Sequence, residues 1–196
     1  MGRKPASQGG FTLIETMISM VILVIGAVAL LGVFGLAVRA NQTSQQDMVA
    51  RQLASEAMES IYTARNSAEL SWSQIQNVSN GGVFLDGMQS MMCAGPDGIL
   101  GTADDSTCLT ASGATCPNGG VECLTEAGPD GVMGTADDVI LSLSSCQRQI
   151  QITPLLDGNG NPIQTLNQVA VTIQCAVPNS PVSKIYVLNE YISEYH

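Results

Sequence analysis

The chain has 196 residues, with 17 acidic against 7 basic side chains and a formal net charge of −10. That length fits one domain, or one domain with an appendage, and the acidic balance excludes a nucleic-acid binder, which needs a basic patch to neutralise phosphates. With 45% hydrophobic and 12% charged residues the chain is not intrinsically disordered. Its hydrophobicity is concentrated near the N-terminus and its acidity in the middle.

The first predicted element is an apolar helix. From Met17 to Val38 there are 22 residues, of which only Ser19 is polar and none is charged. A helix of that length spans about 33 Å, enough to cross a bilayer core. Arg3 and Lys4 precede it and place the N-terminus in the cytoplasm, so that the chain after Val38 is exported. A secretory signal peptide has a shorter apolar core and a small-residue cleavage site; here the run is long and continues into an amphipathic helix. A plain membrane anchor does not explain Glu15, because an ionisable group at the start of an apolar span needs a partner.

The block Gly9-Gly10-Phe11-Thr12-Leu13-Ile14-Glu15, followed at once by the apolar run, resembles the cleavage and methylation site of type IV prepilins. The resemblance covers roughly residues 1–65. It implies that residues 1–10 are a leader removed after Gly10 by a prepilin peptidase, that Phe11 is then N-methylated, and that Glu15 is the fifth mature residue. It further implies that Glu15 pairs with the Phe11 amine of a neighbouring subunit and sets axial register. The physics agrees, since a carboxylate buried among apolar helices requires a cation. Cleavage removes Arg3 and Lys4 and leaves every acidic residue, taking the net charge to −12. The stretch from Ile22 to Gly32 is similar to that of the minor pilins called pilus modification proteins (PilV type). Minor pseudopilins of type II secretion systems share the same motif and build.

Gly26, Gly32 and Gly35 interrupt the apolar run. They allow close approach of neighbouring helices; the resemblance alternatively implies local melting near Gly32 inside a filament. Beyond Arg39 the stretch from Asn41 to Asp47 is polar. Then Ala50, Leu53, Ala54, Ala57, Met58 and Ile61 recur at helical spacing, with Arg51, Glu56, Glu59 and Arg65 mostly off that stripe. This predicts one helix from about Phe11 to about Asn66, membrane-spanning to about residue 38. Its second half docks on a head of residues 67–196.

An acidic, cysteine-rich insert occupies about residues 86–145. Within it Ala94-Gly95-Pro96-Asp97-Gly98-Ile99-Leu100-Gly101-Thr102-Ala103-Asp104-Asp105 recurs as Ala127-Gly128-Pro129-Asp130-Gly131-Val132-Met133-Gly134-Thr135-Ala136-Asp137-Asp138. Ten of the twelve positions are identical at an offset of 33 residues. Two copies do not make a solenoid. Calcium takes about six to eight oxygen ligands in a flexible geometry. Asp97, Thr102, Asp104 and Asp105 offer such oxygens in the first copy, as do Asp130, Thr135, Asp137 and Asp138 in the second. The opposing reading is two solvated Pro-Asp-Gly turns. No basic residue lies between Arg65 and Arg148, so these aspartates have no counter-ion near them in sequence. No organic cofactor is expected.

The C-terminal part reads as sheet. Cys146 to Ile152 and Gln168 to Cys175 alternate polar and apolar residues, as half-buried strands do. The run from Asp157 to Pro162 between them is a dense turn signal; it also resembles the start of a calcium loop but lacks the distal Glu of an EF-hand. A third strand, Lys184 to about Tyr191, follows a turn at Pro178-Asn179-Ser180-Pro181. The expected fold is α+β: a long N-terminal helix, transmembrane in its first half, packed on an antiparallel sheet of three or more strands with a disulfide-rich irregular insert.

All six cysteines fall in the exported part, which favours disulfides. Cys146 and Cys175 lie equally far from the predicted turn, so an antiparallel hairpin sets them opposite each other. For the rest, local pairing of Cys93 with Cys108 and Cys116 with Cys123 is the simplest arrangement. Zinc lacks a CxxC pair, and the single histidine is His196, so neither a zinc site nor a thiol–base pair is indicated. With no nucleophile–base pair, phosphate loop or cofactor fingerprint, enzymatic activity is not expected. The expected function is a minor type IV pilin, held by other pilin subunits through the N-terminal helix and resident in the inner membrane before assembly. A minor pseudopilin, or a calcium-stabilised adhesive module at a filament tip, are the alternatives.

Overall fold

The computed structural model describes residues 12–110, 113–176 and 183–195. The chain divides into two units, Met1–Gln46 and Asp47–His196, and the helix α1 (Leu13–Asn66) contributes to both.

In the first unit the large apolar side chains from Leu13 to Val38 are exposed, and the most apolar 18-residue window has a mean hydropathy of 2.9. A helix that is apolar on every side suits lipid rather than water, and all its backbone groups are satisfied internally. The hydroxyls follow the same logic. Thr16 Oγ1 donates to the carbonyl of Leu13 at 2.7 Å and Ser19 Oγ to that of Glu15 at 2.8 Å, so neither needs a partner from outside the helix. The helix is continuous at Gly32. A Cβ added at Gly26, Gly32 or Gly35 would meet nothing within 4 Å, so the chain itself does not explain these glycines.

In the second unit the predicted stripe is the buried face of α1: Ala50, Leu53, Ala54, Ala57, Met58 and Ile61 are all buried, and Ala64 extends it. The helix ends in a Schellman arrangement. Ala68 takes a left-handed φ of 57°, its N–H reaches the carbonyl of Arg65, and the Glu69 N–H reaches that of Ala64.

The main sheet is antiparallel, ordered β1 (Gln89–Ser90), β4 (Cys146–Leu156), β5 (Pro162–Ala176) and β6 (Ser183–Ser193). Ile150, Ile152, Val169, Val171 and Ile173 join the stripe of α1 in one core. Strands β4 and β5 run longer than their alternation suggests, with a register shift between Pro154 and Leu156. Strand β1 pairs only with Gln147 and Arg148, so Pro154 lies where β4 is an edge and its missing N–H breaks no ladder there. The turn closes through Asp157, which accepts from the N–H groups of Asn159 and Asn161 at 2.8 Å each. These two bonds, the Asn161 contact foremost, hold its carboxyl below the usual range. The expected turn at residues 178–181 lies outside the described residues.

The insert is less irregular than its sequence suggests. It supplies β1 to the main sheet and carries a separate hairpin of β2 (Cys123–Glu126) and β3 (Val139–Ser142). Both elements are too short to register as alternation. Asn77 replaces a strand along the outer edge of β4. Its buried amide donates to the carbonyl of Ile150 at 2.8 Å and accepts from the N–H of Ile152 at 2.7 Å.

Candidate functional site

Two regions carry the candidate chemistry. In the first, Thr12 opens α1: its carbonyl accepts from the N–H groups of Glu15 and Thr16, at 3.1 and 3.2 Å. Its Oγ1 accepts a longer bond from the Glu15 N–H at 3.4 Å. Glu15 therefore sits in the first turn, where a carboxylate complements the helix dipole. Its side chain is exposed and forms no ion pair among the described residues. Gly10 and Phe11 lie outside the described residues.

The second region is the pair of twelve-residue repeats, which fold as the same loop. Ala94–Asp105 is closed by an antiparallel bridge between Cys93 and Ser106, and Ala127–Asp138 by the pairing of Glu126 with Val139. Asp97 Oδ1 accepts from the Ile99 N–H at 2.9 Å, and Asp130 Oδ1 from the Val132 N–H at 2.8 Å. Asp105 Oδ2 accepts from the Gly101 N–H at 2.9 Å, and Asp138 Oδ2 from the Gly134 N–H at 2.6 Å. Thr102 Oγ1 donates to Asp104, and Thr135 Oγ1 to Asp137, at 2.6 Å each. Those hydroxyl bonds are the main reason both carboxyls sit below their ordinary range. Gly101 and Gly134 take φ of 84° and 85°, which only glycine adopts without strain. The loops thus use their aspartates to bind their own backbone. Among the described residues no three Asp, Glu, His or Cys side chains converge to hold a metal ion. Calcium binding by Asp97, Thr102, Asp104 and Asp105, and by their counterparts, is a proposal resting on oxygen chemistry alone.

The copies differ in what surrounds them. The first is docked: Ile99 is 1% and Leu100 5% exposed, and Gly101 lies against Ile150, whose Cδ1 would sit 2.6 Å from an added Cβ. Asp105 meets a cation supplied not by sequence but by the sheet. Arg148, only 2% exposed, places Nη2 3.7 Å from Asp105 Oδ2 and donates from the same nitrogen to the carbonyl of Met92 at 2.9 Å. Burial pushes Asp105 up, against the N–H donors of Gly101 and Thr102 and the charge of Arg148. Glu122 shares that environment. Burial and then the negative charge of Glu56 raise its carboxyl to about 7, against the pull of Arg148. Desolvation in turn pulls Arg148 down, opposed by Asp105, Glu122 and Glu56.

Arg148 was legible in principle. It occupies the inward parity of β4 together with Cys146, Ile150 and Ile152, and a charged residue at an inward position signals a buried pair. Asn77 had no such signal, because its role depends on a strand edge formed 73 residues away.

The cysteines are joined as Cys93–Cys108, Cys116–Cys123 and Cys146–Cys175. Cys146 and Cys175 are direct partners in the β4–β5 register. Cys93–Cys108 clamps the neck of the first loop. Cys116–Cys123 spans a turn in which Asn118, Gly119 and Gly120 all take positive φ.

Residues 5–31 match the family model described as the prokaryotic N-terminal methylation motif. This supports a type IV prepilin-like protein, and with the apolar helix it fits a membrane-anchored pilin. No curated protein and no solved structure matches the chain significantly.

Proposed function

We propose that this chain is a minor type IV pilin, cut after Gly10, N-methylated at Phe11, and incorporated in, or initiating, a type IV pilus. The observation that carries this reading is the methylation motif over residues 5–31, running directly into an uninterrupted apolar helix. The motif belongs to structural subunits of the pilin and pseudopilin kind, and we read the chain as a non-catalytic member. In this scheme a prepilin peptidase removes residues 1–10. The remaining helix holds the subunit in the inner membrane, with the head of residues 67–196 in the periplasm, until assembly carries it to the cell surface. Glu15 then pairs with the methylated Phe11 amine of an adjacent subunit, because bundled apolar helices exclude the water that solvates it elsewhere.

A minor pseudopilin of a type II secretion system has the same motif and the same need for Glu15. Shearing surface filaments and measuring intact masses tests both readings. The pilin reading expects the chain in the sheared fraction, shortened by residues 1–10, carrying one methyl group and three disulfides. Absence from filaments, with loss of protein secretion in a deletion strain, replaces it by the pseudopilin reading. An uncleaved chain overturns both.

A further inference from the structure

We infer that the outer face of the main sheet binds a neutral polysaccharide, one sugar unit of which sits in a polar cavity at the edge of β4. This is the face turned away from α1. The charged side chains of the three long strands, Arg148, Lys184 and Glu190, all have the inward parity shared by the buried Ile150 and Ile192. The outward side chains from Gln147 to Thr153, Gln168 to Gln174 and Ile185 to Tyr191 are therefore all uncharged, in a chain whose net charge is −10. Glutamine, asparagine and threonine predominate among them. The pairing register aligns them in rows across the sheet: Gln151, Ala170 and Asn189 form one, and Thr153, Gln168 and Tyr191 the next.

At the β4 end of these rows the segment from Asn77 to Gly87 borders a cavity of about 130 Å³. Ligand pockets are usually lined by apolar side chains; among the described residues Ile152 is the only apolar one lining this cavity. Its hydrogen-bonding groups divide into two sets. Asn77 is committed to β4, and Asp86 accepts from the Ser79 N–H and hydroxyl at 2.9 and 2.8 Å. The side chains of Asn80, Gln149, Gln151 and Thr153 form no hydrogen bond among the described residues. These four select the ligand. Amides and a hydroxyl set donors and acceptors side by side, which suits a molecule bearing several hydroxyls. No cation lines the cavity to hold an anion, and among the described residues no three ligating side chains converge on a metal ion. A folded protein would bring apolar anchors, for which the β4–β5 half of the face provides only Ala170. The size suits one pyranose ring. Toward β6 the row is low at Ala170 and ends beside Tyr191, which is 59% exposed and presents an aromatic ring to the C–H face of a further sugar. Strands about 4.8 Å apart match the repeat of a sugar chain, so a trisaccharide spans β4 to β6.

The test presents the full chain, in phosphatidylcholine nanodiscs, with neutral trisaccharides of glucose, mannose and N-acetylglucosamine, and with trigalacturonate as the anionic control. Saturation-transfer NMR should show at least one neutral trimer bound, with a Kd of about 1 mM or tighter, and trigalacturonate unbound. Replacing Gln149 and Gln151 together by alanine should weaken binding of that trimer about tenfold. Tyr191→Ala should weaken it about fivefold, and Tyr191→Phe, which keeps the ring, should not. All these variants should keep the parent's melting temperature and three disulfides, since none of the side chains lies in the core. No neutral trimer bound at about 10 mM overturns the inference. So do equal binding of trigalacturonate, or an affinity unchanged both in the double glutamine variant and in Tyr191→Ala. The inference stands on the head and not on the pilin reading: an uncleaved chain that still binds the trimer refutes that reading alone.

Discussion

Replacing Arg148 by methionine removes the cation that the sheet sets against Asp105 of the acidic insert. Arg148 is 2% exposed, pairs with Asp105 and donates to the carbonyl of Met92. Methionine fills much of the same volume, so the change is chiefly electrostatic. It leaves Asp105 and Glu122 in a desolvated site with no opposing charge, and breaking a buried pair by removing one partner costs about 3–5 kcal/mol. For a chain of this size that lowers the melting temperature by about 6–20 °C. Thermal unfolding of the detergent-solubilised chain, followed by circular dichroism at pH 8, measures it. The loss should shrink in acid. The Glu122 carboxyl is raised from 4.5 to about 7 in the folded chain, so between those values the folded state holds more protons than the unfolded one. Stability is accordingly full below pH 4.5 and falls as pH rises through 7. Discounted for its partial exposure, this term is about 1–2 kcal/mol. Glu122→Gln should therefore stabilise the chain by that amount above pH 7 and change little below pH 4.5, and it should rescue part of the loss in Arg148→Met. An Arg148→Met chain that melts within 2 °C of the parent at pH 8, where about 6 °C or more is expected, would refute the reasoning.

Three further outcomes are expected. Glu15→Leu should leave membrane insertion intact and abolish incorporation into sheared filaments; normal incorporation would remove the register role of Glu15. Replacing Cys146 and Cys175 together by serine opens a link spanning 29 residues, and should cost about 3–4 kcal/mol by denaturant unfolding, more than the same change at Cys116 and Cys123, whose separation is 7. Calcium in place of chelator should raise the melting temperature if the loop aspartates bind it. An unchanged melt, together with no metal in the native mass spectrum, leaves hydrogen-bonded turns as the whole account of the repeats.

The sequence by itself determined whatever is periodic or contiguous. The apolar run and its preceding motif are local, so the membrane helix and the resemblance could be read directly. The stripe from Ala50 to Ile61 follows from a 3.6-residue period, and the β4–β5 hairpin from a two-residue period with a turn at its centre. That geometry also sets Cys146 opposite Cys175. The repeat announced two identical loops. What it left open was which surface each loop meets, because docking joins groups distant along the chain. Tertiary structure brought Arg148 to Asp105 from 43 positions further along the chain, buried one loop and left its twin bare. It also used Asn77 in place of a strand. Each of those outcomes depends on desolvation, whose cost and sign are set by what packs against a group and not by its neighbours in sequence.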